Sequence, residues 1–151
     1  MSTAVIASKS SAERVEVQDA SRVHGPNDEL SQNRQSLLCA ELSLLAYYNE
    51  RTMRQVARKL GFTDVRFFDR DGAQAYILIS QHVCVVAYRG TEPNDWNDIK
   101  ADVNATTVVA ETVGRVHRGF KQEVDDLWPL LERSLAGQIR PTWFTGHSLG
   151  A

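Results

Sequence analysis

The feature that most restricts the fold is a run of six consecutive apolar residues at positions 83–88, Val-Cys-Val-Val-Ala-Tyr. A strand with one wet face alternates apolar and polar residues, so a continuous run indicates a strand that is buried on both faces. Helical periodicity precedes it, because Leu38, Leu42 and Leu45 recur in steps of four and three. Helices and a doubly buried strand together predict an α/β fold with a mostly parallel sheet flanked by helices.

Further elements surround this strand. The region 36–60 predicts two helices or one kinked helix, with a capping box from Thr52 to Gln55 and Gly61 just after the end. Strands are predicted at 65–69 and 75–79, joined by an Asp-Gly turn at 71–72.

The second half of the chain continues the alternation of helix and strand. An edge strand is predicted at 106–110, and an amphipathic helix begins at Gly119, with a kink or restart at Pro129. A short strand follows at 141–145. Residues 1–30 are polar and aperiodic, which predicts a tail with one short strand at 15–17, followed by a single domain over 31–151.

Composition excludes several classes of protein. The chain has 151 residues, of which 42% are hydrophobic, and 17 basic against 19 acidic residues give a net charge of −2. This charge lacks the basic footprint of a nucleic-acid binder, and no apolar stretch approaches the roughly 20 residues that span a bilayer. Cys39 and Cys84 sit in apolar surroundings and are expected to be buried thiols. Without an evident secretory signal, a cytoplasmic location is expected.

The motif that most directly indicates catalysis is Gly146-His147-Ser148-Leu149-Gly150, a G-x-S-x-G pattern directly after a predicted strand. In a nucleophile elbow the serine occupies a strained turn between strand and helix, and the glycines leave room for the neighbouring backbone. Such a turn is expected to present the Ser148 hydroxyl to a substrate. A glycine- and serine-containing loop without catalytic function is the alternative interpretation of the motif by itself.

An elbow needs an oxyanion hole, meaning two donors aimed at the charge of the tetrahedral intermediate. One donor is usually the amide of the residue after the nucleophile, here Leu149. The buried strand 83–88 runs into Arg89-Gly90-Thr91, which predicts a corner at the sheet edge where ligands bind in open α/β sheets. Thr91 is therefore the candidate for the second donor.

Four stretches together resemble the class 3, or fungal-type, lipases of the α/β-hydrolase fold. They are VVAYRGT at 85–91, DWNDI at 95–99, VHRGF at 116–120 and FTGHSLGA at 144–151. The combination, in this order, is much more specific than any one of its parts.

The resemblance implies a serine hydrolase of carboxylic esters, with acylglycerols as the expected substrates. Ser148 matches the family's nucleophile, and Thr91 and Leu149 match its oxyanion donors. The segment around Trp96 is similar to the one that carries the family's lid, which implies contact with a lipid surface. No cofactor and no metal are implied. The loosely spaced aspartates at 95, 98 and 102 could suggest a cation site, but they are interpreted as solvated loop carboxylates or helix caps.

The sequence departs from the family in the other members of the catalytic triad. The family's Asp and His follow the nucleophile, whereas all four histidines here, at 24, 82, 117 and 147, precede Ser148. A serine hydroxyl without a positioned base is a weak nucleophile. We therefore expect these residues to be the N-terminal part of a hydrolase, inactive by themselves. The alternative is a non-catalytic module of the same fold that binds a lipid or a protein partner.

Overall fold

The computed structural model describes residues 4–7, 14–17, 32–90, 107–109 and 114–151. In chain order the elements are β1 (Ala4–Ala7), β2 (Arg14–Val17), α1 (Gln32–Leu45), α2 (Glu50–Lys59), β3 (Asp64–Arg70), β4 (Ala73–Ile79), β5 (Cys84–Arg89), β6 (Thr107–Val109), β7 (Arg115–His117), α3 (Arg118–Leu135) and β8 (Thr142–Gly146), followed by a 3-10 turn at Ser148–Gly150.

A four-stranded sheet in the order β3-β4-β5-β8 forms the centre of the molecule. Hairpins make the first two pairings antiparallel, whereas β5 and β8 pair in parallel from Cys84 with Thr142 to Tyr88 with Gly146. The α/β fold class is confirmed. The sheet is mixed in the described part of the chain rather than mostly parallel, because the short turns between β3, β4 and β5 leave no room for crossover helices.

The β3–β4 hairpin turns at the predicted Asp-Gly pair. Asp71 and Gly72 have φ of 52° and 90°, so both central residues are left-handed. This is the conformation of a type I′ turn, whose twist matches that of the flanking strands. Pairing then begins at once between Arg70 and Ala73.

The region predicted as two helices contains two, but the predicted capping box is wrong. Helix α2 begins after Asn49, whose side chain accepts a hydrogen bond from the Thr52 amide at 2.9 Å. An Asn carboxamide is as good an N-cap as a Thr hydroxyl, and here it stands three residues earlier. At the other end Gly61 has φ of 97°, and the Phe62 amide donates to the Ala57 carbonyl at 2.9 Å. This is the expected glycine C-terminal motif.

Helix α3 runs continuously through Pro129, so the predicted restart at this proline is wrong. The face predicted to be apolar is only partly buried. Leu127 and Leu131 are fully covered by the sheet, whereas Val124 is 46% exposed.

The core lies on both faces of the sheet, and β5 contributes to both. Its Val85 and Ala87 belong to the cluster beneath α1 and α2, whereas Cys84 and Val86 belong to the cluster beneath α3. Burial of this strand on both faces is thus confirmed, and it follows from successive side chains pointing to opposite faces.

The remaining strands form two small antiparallel pairs, β1 with β2 and β6 with β7. The short strand predicted at 15–17 lies within β2, and the one predicted at 106–110 contains β6. The domain boundary after residue 30 stays a prediction.

In the described residues there is no helix that combines the length and the apolar character needed to cross a membrane. Cys84 is buried and Cys39 is half-buried, and both are free thiols.

Replacement of Leu42 by Ala tests the core beneath α1. Leu42 is 0% exposed, so we expect the free energy of unfolding to fall by about 2–5 kcal/mol in urea denaturation. Leu44→Ala in the same helix is the matched control, because Leu44 is 48% exposed and its loss should cost less than about 0.5 kcal/mol. Equal losses in the two variants would contradict this packing.

Candidate active site

The site lies where the two parallel strands end side by side. Tyr88 of β5 pairs with Gly146 of β8, so the chain leaves both strands at the same edge of the sheet. The corner Arg89-Gly90 therefore adjoins the turn His147-Ser148. The corner after β5 and the turn after β8 thus lie next to each other, as expected for an oxyanion hole beside a nucleophile elbow.

Ser148 occupies a strained backbone conformation. Its φ is 58°, a left-handed value that few residues other than glycine adopt. His147 before it is still extended, at φ −131° and ψ 142°, and a 3-10 turn begins at Ser148 itself. The chain thus changes from strand to helical turn within one residue, as in the strand–serine–helix turn of hydrolases.

The two flanking glycines are sterically required. A Cβ at Gly146 would overlap the backbone carbonyl of Gly150, and one at Gly150 would lie 2.9 Å from the Tyr88 carbonyl oxygen. The turn therefore closes on itself and also packs against β5. No larger residue fits either position unless the backbone moves.

Gly90 brings the corner after β5 against the same turn. A Cβ at Gly90 would overlap the carbonyl oxygen of His147, and it would lie 2.5 Å from the hydroxyl of Tyr47. The next residue of the corner, Thr91, lies outside the described residues, as does Trp96. Leu149 lies in the 3-10 turn directly after Ser148. The roles of Thr91 and Leu149 as oxyanion donors, and of Ser148 as nucleophile, stay predictions.

The hydroxyl of Ser148 differs from expectation in one respect. Its oxygen is buried, and it has no hydrogen-bond partner in the described structure. The predicted open presentation of this oxygen is therefore wrong. A buried hydroxyl without a partner costs about 1–3 kcal/mol, and such groups are found where a site awaits a ligand or a catalytic partner.

The end of β8 is tied to α1 by a small polar cluster that sequence reasoning missed. The hydroxyl oxygens of Ser43 and Thr145 lie 2.7 Å apart, and they lie 2.8 and 3.1 Å from the Cys39 carbonyl oxygen. Their two protons serve two of these three contacts at a time. Burial raises the pKa of the Cys39 thiol, and a hydrogen bond with Thr145 partly opposes this. The cluster anchors the residue immediately before Gly146. Isolated serines and threonines carry no sequence signal that could have revealed it.

A groove of about 470 Å³ opens beside the turn, between the sheet and α3. Its lining is mainly apolar and includes Val124, Leu127 and Phe144, together with Gly146 and Gly150 of the turn. Glu123 also lines it, and burial raises the pKa of this carboxyl group. The groove could hold an apolar chain. No sequence motif indicated Glu123 as part of this site.

No histidine among the described residues forms a hydrogen bond with Ser148. The Nδ1 atom of His147 lies 3.0 Å from the Tyr47 hydroxyl, and no hydrogen bond joins it to the serine. His82 lies in the turn before β5, where its amide donates to Ser80. His117 ends β7, and His24 lies outside the described residues.

No group of three or more His, Cys, Asp or Glu side chains that could hold a metal ion occurs among the residues with described positions. The aspartates at 95, 98 and 102 lie outside them.

The parallel strand pair, the strained serine after it and the helices on both faces define part of an α/β-hydrolase fold. Comparison with solved structures supports this. A triacylglyceride lipase of Rhizomucor miehei matches 80% of this chain and 52% of its own, with a TM-score of 0.54 and 18% identity. A lipase of Rhizopus microsporus var. chinensis matches 79% of this chain and 47% of its own, with a TM-score of 0.54 and 22% identity.

A third solved structure is a triacylglycerol lipase whose catalytic centre is formed by a serine protease triad. It matches 80% of this chain and 52% of its own, with a TM-score of 0.52 and 17% identity. At these identities the three matches show the fold.

Sequence comparison points to the same kind of protein. The chain is 32% identical over 95 residues to triacylglycerol lipase OBL1 of Nicotiana tabacum, of which it covers 17%. No family model matches the chain. The comparisons confirm the resemblance to the fungal-type lipases. The chain spans about half the length of the solved lipases and about a sixth of the tobacco protein.

Replacement of Gly146 by Ala tests the closure of the turn. The added methyl group meets backbone atoms that cannot rotate away, so we expect the free energy of unfolding to fall by about 3 kcal/mol. Gly137→Ala is the control, because its methyl group meets open space and only the left-handed φ of 77° opposes it, at about 1 kcal/mol. Thermal or urea unfolding measures both. A Gly146 variant no less stable than the control would show that the turn is not closed in solution.

Proposed function

We propose that this chain is the N-terminal part of a serine hydrolase of carboxylic esters, with Ser148 as the nucleophile. The observation that carries the proposal is the conformation of Ser148. It combines a φ of 58°, glycines on either side that cannot carry a Cβ, and a hydroxyl without a partner. A strained residue with an unsatisfied buried oxygen costs stability, and such costs are typical of functional sites.

The proposed reaction is acyl transfer to the serine. The Ser148 oxygen attacks the ester carbonyl carbon, the alcohol leaves with a proton, and water then hydrolyses the acyl-enzyme. The amides of Leu149 and Thr91 would stabilise the negative charge on the carbonyl oxygen. An Asp and a His beyond residue 151 would complete the triad, since no histidine of the described structure bonds to Ser148.

Triacylglycerols are the proposed substrates. The relatives from Nicotiana tabacum and Rhizomucor miehei are a triacylglycerol and a triacylglyceride lipase. The apolar groove beside Gly146, with Val124, Leu127 and Phe144 in its lining, supports an acyl-chain site of this kind. A lid that includes Trp96 would open at a lipid surface, as the resemblance implies.

A second candidate is a non-catalytic module of the same fold that binds a lipid or a protein partner. The buried Ser148 oxygen favours it, because an inaccessible hydroxyl cannot attack a substrate unless the turn or its surroundings rearrange. The two candidates differ in one measurable property, which is covalent reactivity at Ser148.

Replacement of Ser148 by Ala decides between the candidates. The protein is expressed from its complete reading frame, including whatever follows residue 151, and hydrolysis of p-nitrophenyl butyrate is measured. We expect kcat to fall by roughly a thousandfold or more, because the nucleophile is lost. Ser36→Ala is the matched control, since Ser36 is an exposed serine of α1 that bonds to its own helix and should be dispensable.

A fluorophosphonate probe gives an independent result. Labelling of the unaltered protein and of the Ser36 variant, but not of the Ser148 variant, would support the hydrolase. Absence of both labelling and turnover in the unaltered protein would contradict the hydrolase and favour the non-catalytic module.

Replacement of Trp96 by Ser tests the proposed lid. Removal of a large apolar side chain from a segment that contacts lipid should weaken binding to the surface, so we expect a severalfold lower rate on emulsified tributyrin. The rate on soluble p-nitrophenyl butyrate should change little. Trp128→Ser is the control, because Trp128 is 41% exposed on α3. Equal loss on both substrates would contradict a role at the lipid surface.

A further inference from the structure

Tyr47 is the residue that joins the two corners of the site, and no motif indicated it. It lies two residues beyond the end of α1, at the edge of the sheet where β5 and β8 both end. Its hydroxyl oxygen is 3.0 Å from His147 Nδ1 and 3.3 Å from the carbonyl oxygen of the same residue. One phenol group therefore contacts both the side chain and the backbone of His147.

The donor and acceptor roles in these two contacts depend on the tautomer of His147. A phenol has one proton, so it can donate only one full hydrogen bond. If the Tyr47 hydroxyl donates to the His147 carbonyl, the second contact requires a proton on His147 Nδ1. The imidazole then donates to the Tyr47 oxygen. Both contacts are satisfied together only when His147 carries its proton on Nδ1.

The His147 carbonyl is the atom that orients the turn. It also accepts a hydrogen bond from the Gly150 amide at 3.1 Å. In a trans peptide the carbonyl oxygen and the following amide N–H point in opposite directions, and the described backbone contains no cis peptide bond. Fixing this carbonyl therefore fixes the peptide plane that leads into the strained Ser148.

The same tyrosine also contacts the other corner. A Cβ at Gly90 would lie 2.5 Å from the Tyr47 hydroxyl, so the two pack tightly. The guanidinium carbon of Arg89 lies 5.9 Å from the centre of the Tyr47 ring, within the range of a cation–π interaction. The His147 and Tyr47 rings meet edge to face, with centroids 5.8 Å apart. Tyr47 thus contacts Gly90, the residue before Thr91, and His147, the residue before Ser148.

We propose that Tyr47 is a positioning residue, whose hydroxyl holds the His147 peptide plane against Gly90 and so sets how closely the corner before the predicted oxyanion donor Thr91 approaches the turn at Ser148. The inference rests on the proposed function, because an oxyanion hole has a purpose only in a hydrolase. Tyr47 acts through the backbone of the turn and takes no part in proton transfer to the substrate. Small displacements of catalytic groups have large effects on rate, so loss of this hydroxyl should be visible in kcat.

Replacement of Tyr47 by Phe tests the proposal, because it removes the hydroxyl and keeps the ring that packs on His147 and Arg89. The matched control is Tyr76→Phe, which removes a core hydroxyl that donates to the Tyr48 carbonyl at 3.2 Å and not to His147. Both variants are made in the protein expressed from its complete reading frame. The measurements are kcat and KM for p-nitrophenyl butyrate and the rate of fluorophosphonate labelling.

We expect Tyr47→Phe to lower kcat and the labelling rate by roughly tenfold or more, with KM unchanged, whereas Tyr76→Phe leaves both rates within about twofold. Equal rates in the two variants overturn the role of Tyr47 and leave the proposed function intact. A raised KM with unchanged kcat also overturns it, because Tyr47 would then bind the substrate. If the unaltered protein neither turns over nor reacts with the probe, the proposed function fails and the inference fails with it.

A second measurement needs no substitution. In protein labelled with ¹⁵N at histidine, the neutral His147 ring should show a protonated Nδ1 in ¹⁵N–¹H correlation spectra. This result supports the positioning role of Tyr47 even if Tyr47→Phe does not fold. An unprotonated Nδ1 in the neutral ring overturns it.

Discussion

The contact on which the site depends is the approach of two backbone corners at one edge of the sheet. Gly90, after β5, lies against the carbonyl of His147, after β8, with no room for a side chain between them. The approach is possible because β5 and β8 are parallel neighbours and end at the same level. Any residue larger than glycine at this point would separate the strand ends and the turns that follow them.

The strain at Ser148 is maintained by the packing around it. The hydroxyls of Ser43 and Thr145 anchor the residue before the turn to α1, and Gly150 closes the turn from its other end. A left-handed serine persists only where surrounding contacts over-determine its conformation. Burial of β5 on both faces supplies the rigid support, because the strand cannot shift without disturbing two clusters of the core.

The groove lies beside the turn at the end of β8, and α3 forms the wall of the groove that faces the sheet. Phe144 is 53% exposed and Val124 is also exposed, so this face carries apolar surface in the groove that Gly146 and Gly150 also line. Because Gly146 and Gly150 belong both to the turn and to the lining of the groove, an acyl chain bound there, as proposed, would lie next to the turn. The proposed acyl-chain site and the proposed nucleophile are therefore neighbours. Glu123 adds a carboxyl group to the groove, and burial raises its pKa.

The sequence by itself determined the local features of this protein. Periodicity, the Asp-Gly turn and the glycine after α2 act within a few residues, and the continuous apolar run could be satisfied only by a strand covered on both faces. The G-x-S-x-G motif predicted its own turn because its glycines also act within a few residues of the serine. Tertiary structure decided what depends on distant neighbours. It paired Tyr88 with Gly146, placed Tyr47 beside His147 at a separation of 100 residues, and covered the Ser148 oxygen. It also allowed α3 to continue through Pro129, where packing of Leu127 and Leu131 outweighs the loss of a backbone hydrogen bond.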